Sequence, residues 1–220
     1  MVRAMSEEAD LREHICLLAK SIYDRGLTGG SSGNISARLS DGRLLVTPTG
    51  SCFGRLDPAR LSLFSADGAL QAGDAPTKEM PLHSAFYETR AAKTGAVVHL
   101  HSSHSVALSV LPGADEDDFL PPLTAYGVMK LGRVKLLPYF MPGDAAMGDA
   151  IRGLAGKRSA VMLAHHGPVV AGKDLEAAVY AAEELEETAK LALLTRGLNP
   201  ILLDQAQING LVTEFNVEWD

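Results

Sequence analysis

Gly95-Ala96-Val97-Val98-His99-Leu100-His101 is the stretch on which the reading of this chain turns. An apolar run after a glycine predicts a buried strand over Gly95 to His101. Two histidines sit in that run at positions i and i+2. On a strand such residues share a face, ~6.6–7 Å apart along the chain, so two imidazoles can converge on one cation without straining the backbone. Otherwise each ring would carry polar nitrogens into a core and need a partner there. A second strand-like run, Ser159 to Ala164, leads straight into His165-His166-Gly167. Three imidazole nitrogens at ~2.0–2.1 Å and one open position are the donor set of a catalytic zinc site. Spacing alone leaves open both a metal centre and a set of satisfied core histidines.

Working outward, Glu79 lies in Pro76-Thr77-Lys78-Glu79-Met80-Pro81, just before a helix predicted over Pro81 to Arg90. It reads either as an acid at the positive end of the helix dipole or as a carboxylate that coordinates a metal or moves protons beside it. Two turns of small residues, Ser31-Ser32-Gly33-Asn34 and Thr47-Pro48-Thr49-Gly50, offer backbone N–H groups and hydroxyls of the kind that cradle a phosphate. Neither is a nucleotide-binding glycine motif. His104 falls at a helix end beside the histidine pair, while His14 and His83 show no partner in the sequence.

The remaining pattern alternates helices and strands. Ser6 offers an N-cap for a helix with Leu11, Ile15, Leu18 and Ile22 on one face, ending near Gly26. Asn34 to Leu39 and Arg43 to Thr47 flank Asp41-Gly42, a strong hairpin signal, and a smaller hairpin is expected around Asp67-Gly68. Ser103 to Val110 and Asp144 to Leu154 read as helices, Val134 to Tyr139 as a strand, and Ala114 to Asp118 as an exposed acidic loop. Lys173 to Leu194 is the clearest helix, capped by Asp174, with Glu186 and Lys190 expected to form an exposed i,i+4 pair. Asn199 to Asp220 reads as a tail. With no linker or repeat, residues 1–220 are expected to form one mixed α/β domain.

Composition narrows the function. The chain of 220 residues carries 20 Lys and Arg against 27 Asp and Glu, a net charge of −7, which argues against nucleic acid and anionic membrane as partners. No apolar run approaches the ~20 residues that span a bilayer. Two cysteines, Cys16 and Cys52, make no disulfide framework. Met1 to Asp10 has no apolar leader segment, so a cytoplasmic location is expected.

Taken in order, Ser32-Gly33-Asn34-Ile35-Ser36, Thr47-Pro48-Thr49-Gly50, the Glu79 segment, His99-Leu100-His101-Ser102 and His166-Gly167 resemble the class II aldolase/adducin family over most of the chain. The resemblance implies a three-layer α/β/α fold with a central, largely antiparallel sheet. It also implies a homotetramer with active sites at subunit interfaces and a divalent metal, zinc or another such as manganese or cobalt. Carried over residue by residue, it makes His99, His101 and His166 metal ligands, with Glu79 as acid/base and as a ligand when no substrate is bound. Asn34, Thr49, Gly50, Thr77 and Lys78 match the phosphate-binding positions. Leu120 to Tyr126 matches a loop that donates a tyrosine across the interface, which makes Tyr126 the second catalytic candidate. His165, next to His166, leaves a swapped ligand open. Gly30 to Ser36, Pro76 to Glu79 and Lys173 to Tyr180 are most similar to the branch that decarboxylates 3-oxo-tetronate 4-phosphates. The expected reaction is therefore loss of CO2 through an enediolate, giving dihydroxyacetone phosphate from a small phosphorylated sugar acid. The alternatives are a retro-aldolase of the fuculose 1-phosphate type, a sugar-phosphate 4-epimerase, and a non-catalytic adducin-like module.

Overall fold

Eight strands form one sheet in the computed structural model, which describes residues 6–219. They are β1 (Asn34–Arg38), β2 (Leu44–Val46), β3 (Ser62–Phe64), β4 (Leu70–Ala72), β5 (Ala96–His99), β6 (Lys135–Leu137), β7 (Ala160–Leu163) and β8 (Gly167–Gly172). Their order across the sheet is β4-β3-β2-β1-β5-β8-β7-β6, and β6 with β7 is the parallel pair among antiparallel ones. Met1 to Met5, on which half of the leader reading rests, and Asp220 lie outside the described residues.

Helices cover both faces. Side chains of α1 (Glu7–Asp24), α3 (Ser103–Ser109), α4 (Ala125–Leu131) and α6 (Leu175–Thr195) pack into one apolar layer, those of α2 (Met80–Arg90) and α5 (Ala146–Gly153) into the other. Strands buried on both sides divide their residues between the layers by pleat: Ala96 and Val98 of β5 enter the first, Val97 the second. His99 therefore stands on the α2 side. The same alternation puts Asn34 and Ser36 of β1 on the α2 side, because Ile35 and Ala37 fill the other layer. In the ladder Asn34 lies opposite His99 and Ser36 opposite Val97.

The caps expected at Ser6 and Asp174 are made: Ser6 accepts from the Ala9 N–H at 3.3 Å and Asp174 from the Ala177 N–H at 2.7 Å. Both hairpins form, and Cys16 and Cys52 are unpaired. Four expectations need correction. The strand stops at His99 rather than His101, because the register sets Leu100 opposite Pro168, which has no N–H to return a bond, so the Leu100 N–H to Pro168 carbonyl bond at 3.2 Å is the last rung. β8 itself escapes a sequence reading, since its Gly-Pro start and Gly end look like a loop. Helical rotation places Glu186 on the buried stripe of Ala182, Leu185 and Ala189, so it does not pair with Lys190, which reaches Glu187 instead at 3.4 Å. The presumed tail contains α7 (Gln205–Phe215), opened by a capping box between Asp204 and Gln207.

Candidate metal centre

The three rings meet at the end of β5. His99 closes that strand, His101 follows in the loop to α3, and His166 ends the turn between β7 and β8. Ring centroids are 4.9 Å apart for His99–His101 and His99–His166, and 4.7 Å for His101–His166. Glu79, at the N-cap of α2, completes the group, and one donor atom from each residue lies within 4.8 Å of all the others. Two glycines allow this crowding. Gly33 has φ +83°, and a Cβ there would sit 3.0 Å from the His99 carbonyl oxygen. At Gly167 a Cβ would fall 2.0 Å from the Leu100 carbonyl oxygen, so only glycine lets the chain after His166 lie against the histidine pair.

Hydrogen bonding leaves nitrogens free toward the centre. His99 Nδ1 donates to the Pro168 carbonyl at 2.8 Å, which fixes the lone pair on Nε2. That Nε2 stands 3.1 Å from His101 Nε2 and 3.4 Å from Glu79 Oε2. His166 Nε2 is 3.1 Å from Glu79 Oε1, yet neither ring nitrogen of His166 makes a hydrogen bond, although the residue is 8% exposed. A buried imidazole without partners costs free energy that a bound cation would offset. Three imidazoles, one of them with unpartnered nitrogens, and one carboxylate, their donor atoms within 4.8 Å of one another, fit a divalent ion.

Electrostatics favour that state. Burial drives the His99 imidazole down to about 3, against the opposing pull of Glu79, and burial also lowers His101. Burial alone would raise the Glu79 carboxyl. Its contacts with His166 and His99 and the Asn34 amide outweigh burial and hold it well below the usual carboxylate range. At neutral pH an ionised Glu79 carboxylate faces the unprotonated rings of His99 and His101, which can ligate without first losing protons.

The other candidates are distributed around it. An isolated bridge between Pro48 and Pro76 and a 2.9 Å bond from the Thr49 N–H to the Ala75 carbonyl bring Thr49-Gly50 beside Thr77-Lys78. Thr49, Gly50 and Lys78 are exposed, while Thr77 is buried and accepts the Glu79 N–H at 3.2 Å. Asn34 is buried with its amide on Glu79. Tyr126 belongs to the first turn of α4, is 61% exposed, and lines a depression with His104, Tyr180 and Lys130. His165 adopts φ +59°, is exposed and turns its ring toward Tyr139, which leaves His166 as the histidine in the cluster.

The profile of the Class II Aldolase and Adducin N-terminal domain matches residues 13–193. The chain belongs to the class II aldolase and adducin family. The 3-oxo-tetronate 4-phosphate decarboxylase of Escherichia coli K12 is 49% identical over 187 residues, covering 85% of this chain and 88% of that one. The L-fuculose phosphate aldolase of the same organism is 31% identical over 200 residues, covering 86% and 89%. The crystal structure of YgbL from Escherichia coli superposes with a TM-score of 0.90 at 45% identity, covering 94% of this chain and 99% of that one.

Sequence reasoning missed two groups around this family's site. Glu186 accepts from the backbone of His104 and Ser105 at 2.8 and 2.9 Å, from His104 Nδ1 at 2.7 Å and from Ser105 Oγ at 2.9 Å. It thereby fixes the start of α3 two residues after His101. His83, without a partner in the sequence, is fully buried and hydrogen bonded on both nitrogens. A helical face carrying His at an inward position was the available signal for the second group, and a Glu on an apolar stripe for the first.

Proposed function

We propose that this chain is a metal-dependent carbon–carbon lyase that decarboxylates a 3-oxo-tetronate 4-phosphate to dihydroxyacetone phosphate and CO2. The observation that carries the choice of reaction is the 49% identity to a decarboxylase against 31% to an aldolase of the same organism. His99, His101 and His166 hold the cation in this reading, with zinc preferred for a three-imidazole set over manganese or cobalt. The bound ion supplies Lewis-acid stabilisation for the electron pair that remains on C2 after the C1–C2 bond breaks. The proton that C2 then accepts comes from a water that the Glu79 carboxylate holds against it, or from Tyr126, exposed on α4 and brought in from a neighbouring subunit of a homotetramer. Thr49, Gly50, Thr77 and Lys78 grip the phosphate, joined by the second N–H of the Asn34 amide. Anchoring that unreactive end sets the scissile bond in place. The location is the cytoplasm and the role is carbohydrate breakdown.

A coupled assay on both enantiomers of the keto acid phosphate, with metal content measured on the same sample, tests this. CO2 release with about one divalent ion per chain is expected. Aldehyde release from a sugar 1-phosphate with no CO2 from either enantiomer would replace the decarboxylase by an aldolase, and a metal-free protein with no zinc affinity would point to a non-catalytic module.

A further inference from the structure

Between β1 and α2 runs a buried hydrogen-bond chain that the metal centre does not require. Asn34 Nδ2 donates to Glu79 Oε2 at 2.7 Å, and Asn34 Oδ1 lies 2.5 Å from His83 Nε2. His83 Nδ1 lies 2.7 Å from Ser36 Oγ, which lies 3.0 Å from Tyr87 OH. All five residues are buried, Ser36 and His83 completely. The Arg38 guanidinium closes the far end, 4.4 Å above the Tyr87 ring.

The direction of every bond follows from the first. An ionised carboxylate only accepts, so Asn34 must turn its NH2 toward Glu79. The Asn34 carbonyl oxygen can then only accept, so His83 carries its proton on Nε2. A neutral imidazole protonated there has its lone pair on Nδ1, so the Ser36 hydroxyl donates to it. The Ser36 oxygen is left to accept from Tyr87. Burial keeps the imidazole neutral by lowering its pKa to about 4.

We propose that His83 is a positioning residue, which selects the amide orientation of Asn34 and through it holds the Glu79 carboxylate toward the reacting centre. This rests on the reading of Glu79 as the proton-moving group. Because a carboxamide does not readily relay protons, the chain orients Glu79 and does not conduct to it. Reversing the amide would set a carbonyl oxygen against a carboxylate, and the His83 N–H blocks that arrangement by demanding an acceptor.

Two readouts test it. In the metal-free protein, long-range 1H–15N spectra should show His83 protonated on Nε2 and not on Nδ1, and the Asn34 carboxamide proton shifted downfield by its carboxylate. His83→Phe keeps the volume without nitrogens, and should abolish that downfield shift. His83→Gln, which retains a donor toward Asn34, should preserve it. In turnover, kcat should fall roughly 10–100-fold in His83→Phe with KM and metal content within about twofold of wild type, and His83→Gln should recover most of the loss. A purely structural role would instead lower the folded fraction of both variants and leave kcat per folded molecule unchanged. An Nδ1–H tautomer, an unmoved Asn34 resonance in His83→Phe, or kcat within twofold of wild type overturns the proposal. Should His83→Phe not fold, Ser36→Ala removes the next link and is expected to lower kcat three- to tenfold, with no change counting against the chain. If the wild-type protein decarboxylates no keto acid phosphate, the activity assignment fails while the spectra still decide the role of His83.

Discussion

Protonating His83 or His99 inside the folded chain would strand a charge where water does not reach it. Burial lowers the first to about 4 and the second to about 3, from an ordinary value of 6.5. The unfolded chain therefore takes up protons below pH 6.5 that the folded chain refuses. Their contribution to stability is complete above pH 6.5 and is lost as pH falls toward 4, on the order of 3 kcal/mol for His83 alone. Glu79 behaves oppositely in origin: its lowered carboxyl adds stability above the ordinary carboxylate range and loses it only further into acid. For chelator-treated protein the urea midpoint should hold from pH 7.5 to about 6.5 and then drop steadily toward pH 4.5, and a flat profile throughout would mean that these rings are solvated.

At the scale of the element, α3 depends on a side chain from another helix. Its own N-cap, Ser102, makes no side-chain cap bond, and Glu186 of α6 supplies the acceptors instead. Glu186→Ala should cost about 2 kcal/mol in urea unfolding, since it strips buried donors of their partner. Because α3 starts two residues after His101, zinc affinity measured by chelator competition should fall about tenfold with it. Glu186→Gln should lie between, and an unchanged affinity in both would separate the cap from the metal site.

The same element shows what a sequence reading can reach. Helices with apolar side chains every three or four residues, the Asp41-Gly42 hairpin and the histidine pair at i,i+2 are local patterns, and local patterns were legible. β8 was not, because Gly167, Pro168 and Gly172 are tolerated only through contacts with a strand far earlier in the chain, His99 and Pro168 being 69 residues apart. His83 was not, because its partner Asn34 is 49 residues away and only the fold brings them together. The inward turn of Glu186 followed from the helical period, but a charged residue on that stripe reads as a surface pair until its buried partners are seen.

In the whole molecule, chain order divides the sheet. Strands β1 to β4 lie on one side and β5 to β8 on the other, and they meet along the β1–β5 ladder. The candidate ligands come from both sides of that line: Glu79, tied to Asn34 of β1, and His99, His101 and His166 from β5, the loop after it and the β7–β8 turn. Adding zinc to the metal-free protein should slow amide hydrogen exchange most along Asn34–Ala37 and Ala96–His99, and equal slowing at the outer strands β4 and β6 would contradict it. An ion bolted across such a seam is a structural member as well as a reagent. Scarcity of the metal would then shorten the life of the protein in the cell, as proteases find the parted halves, and not merely leave it idle.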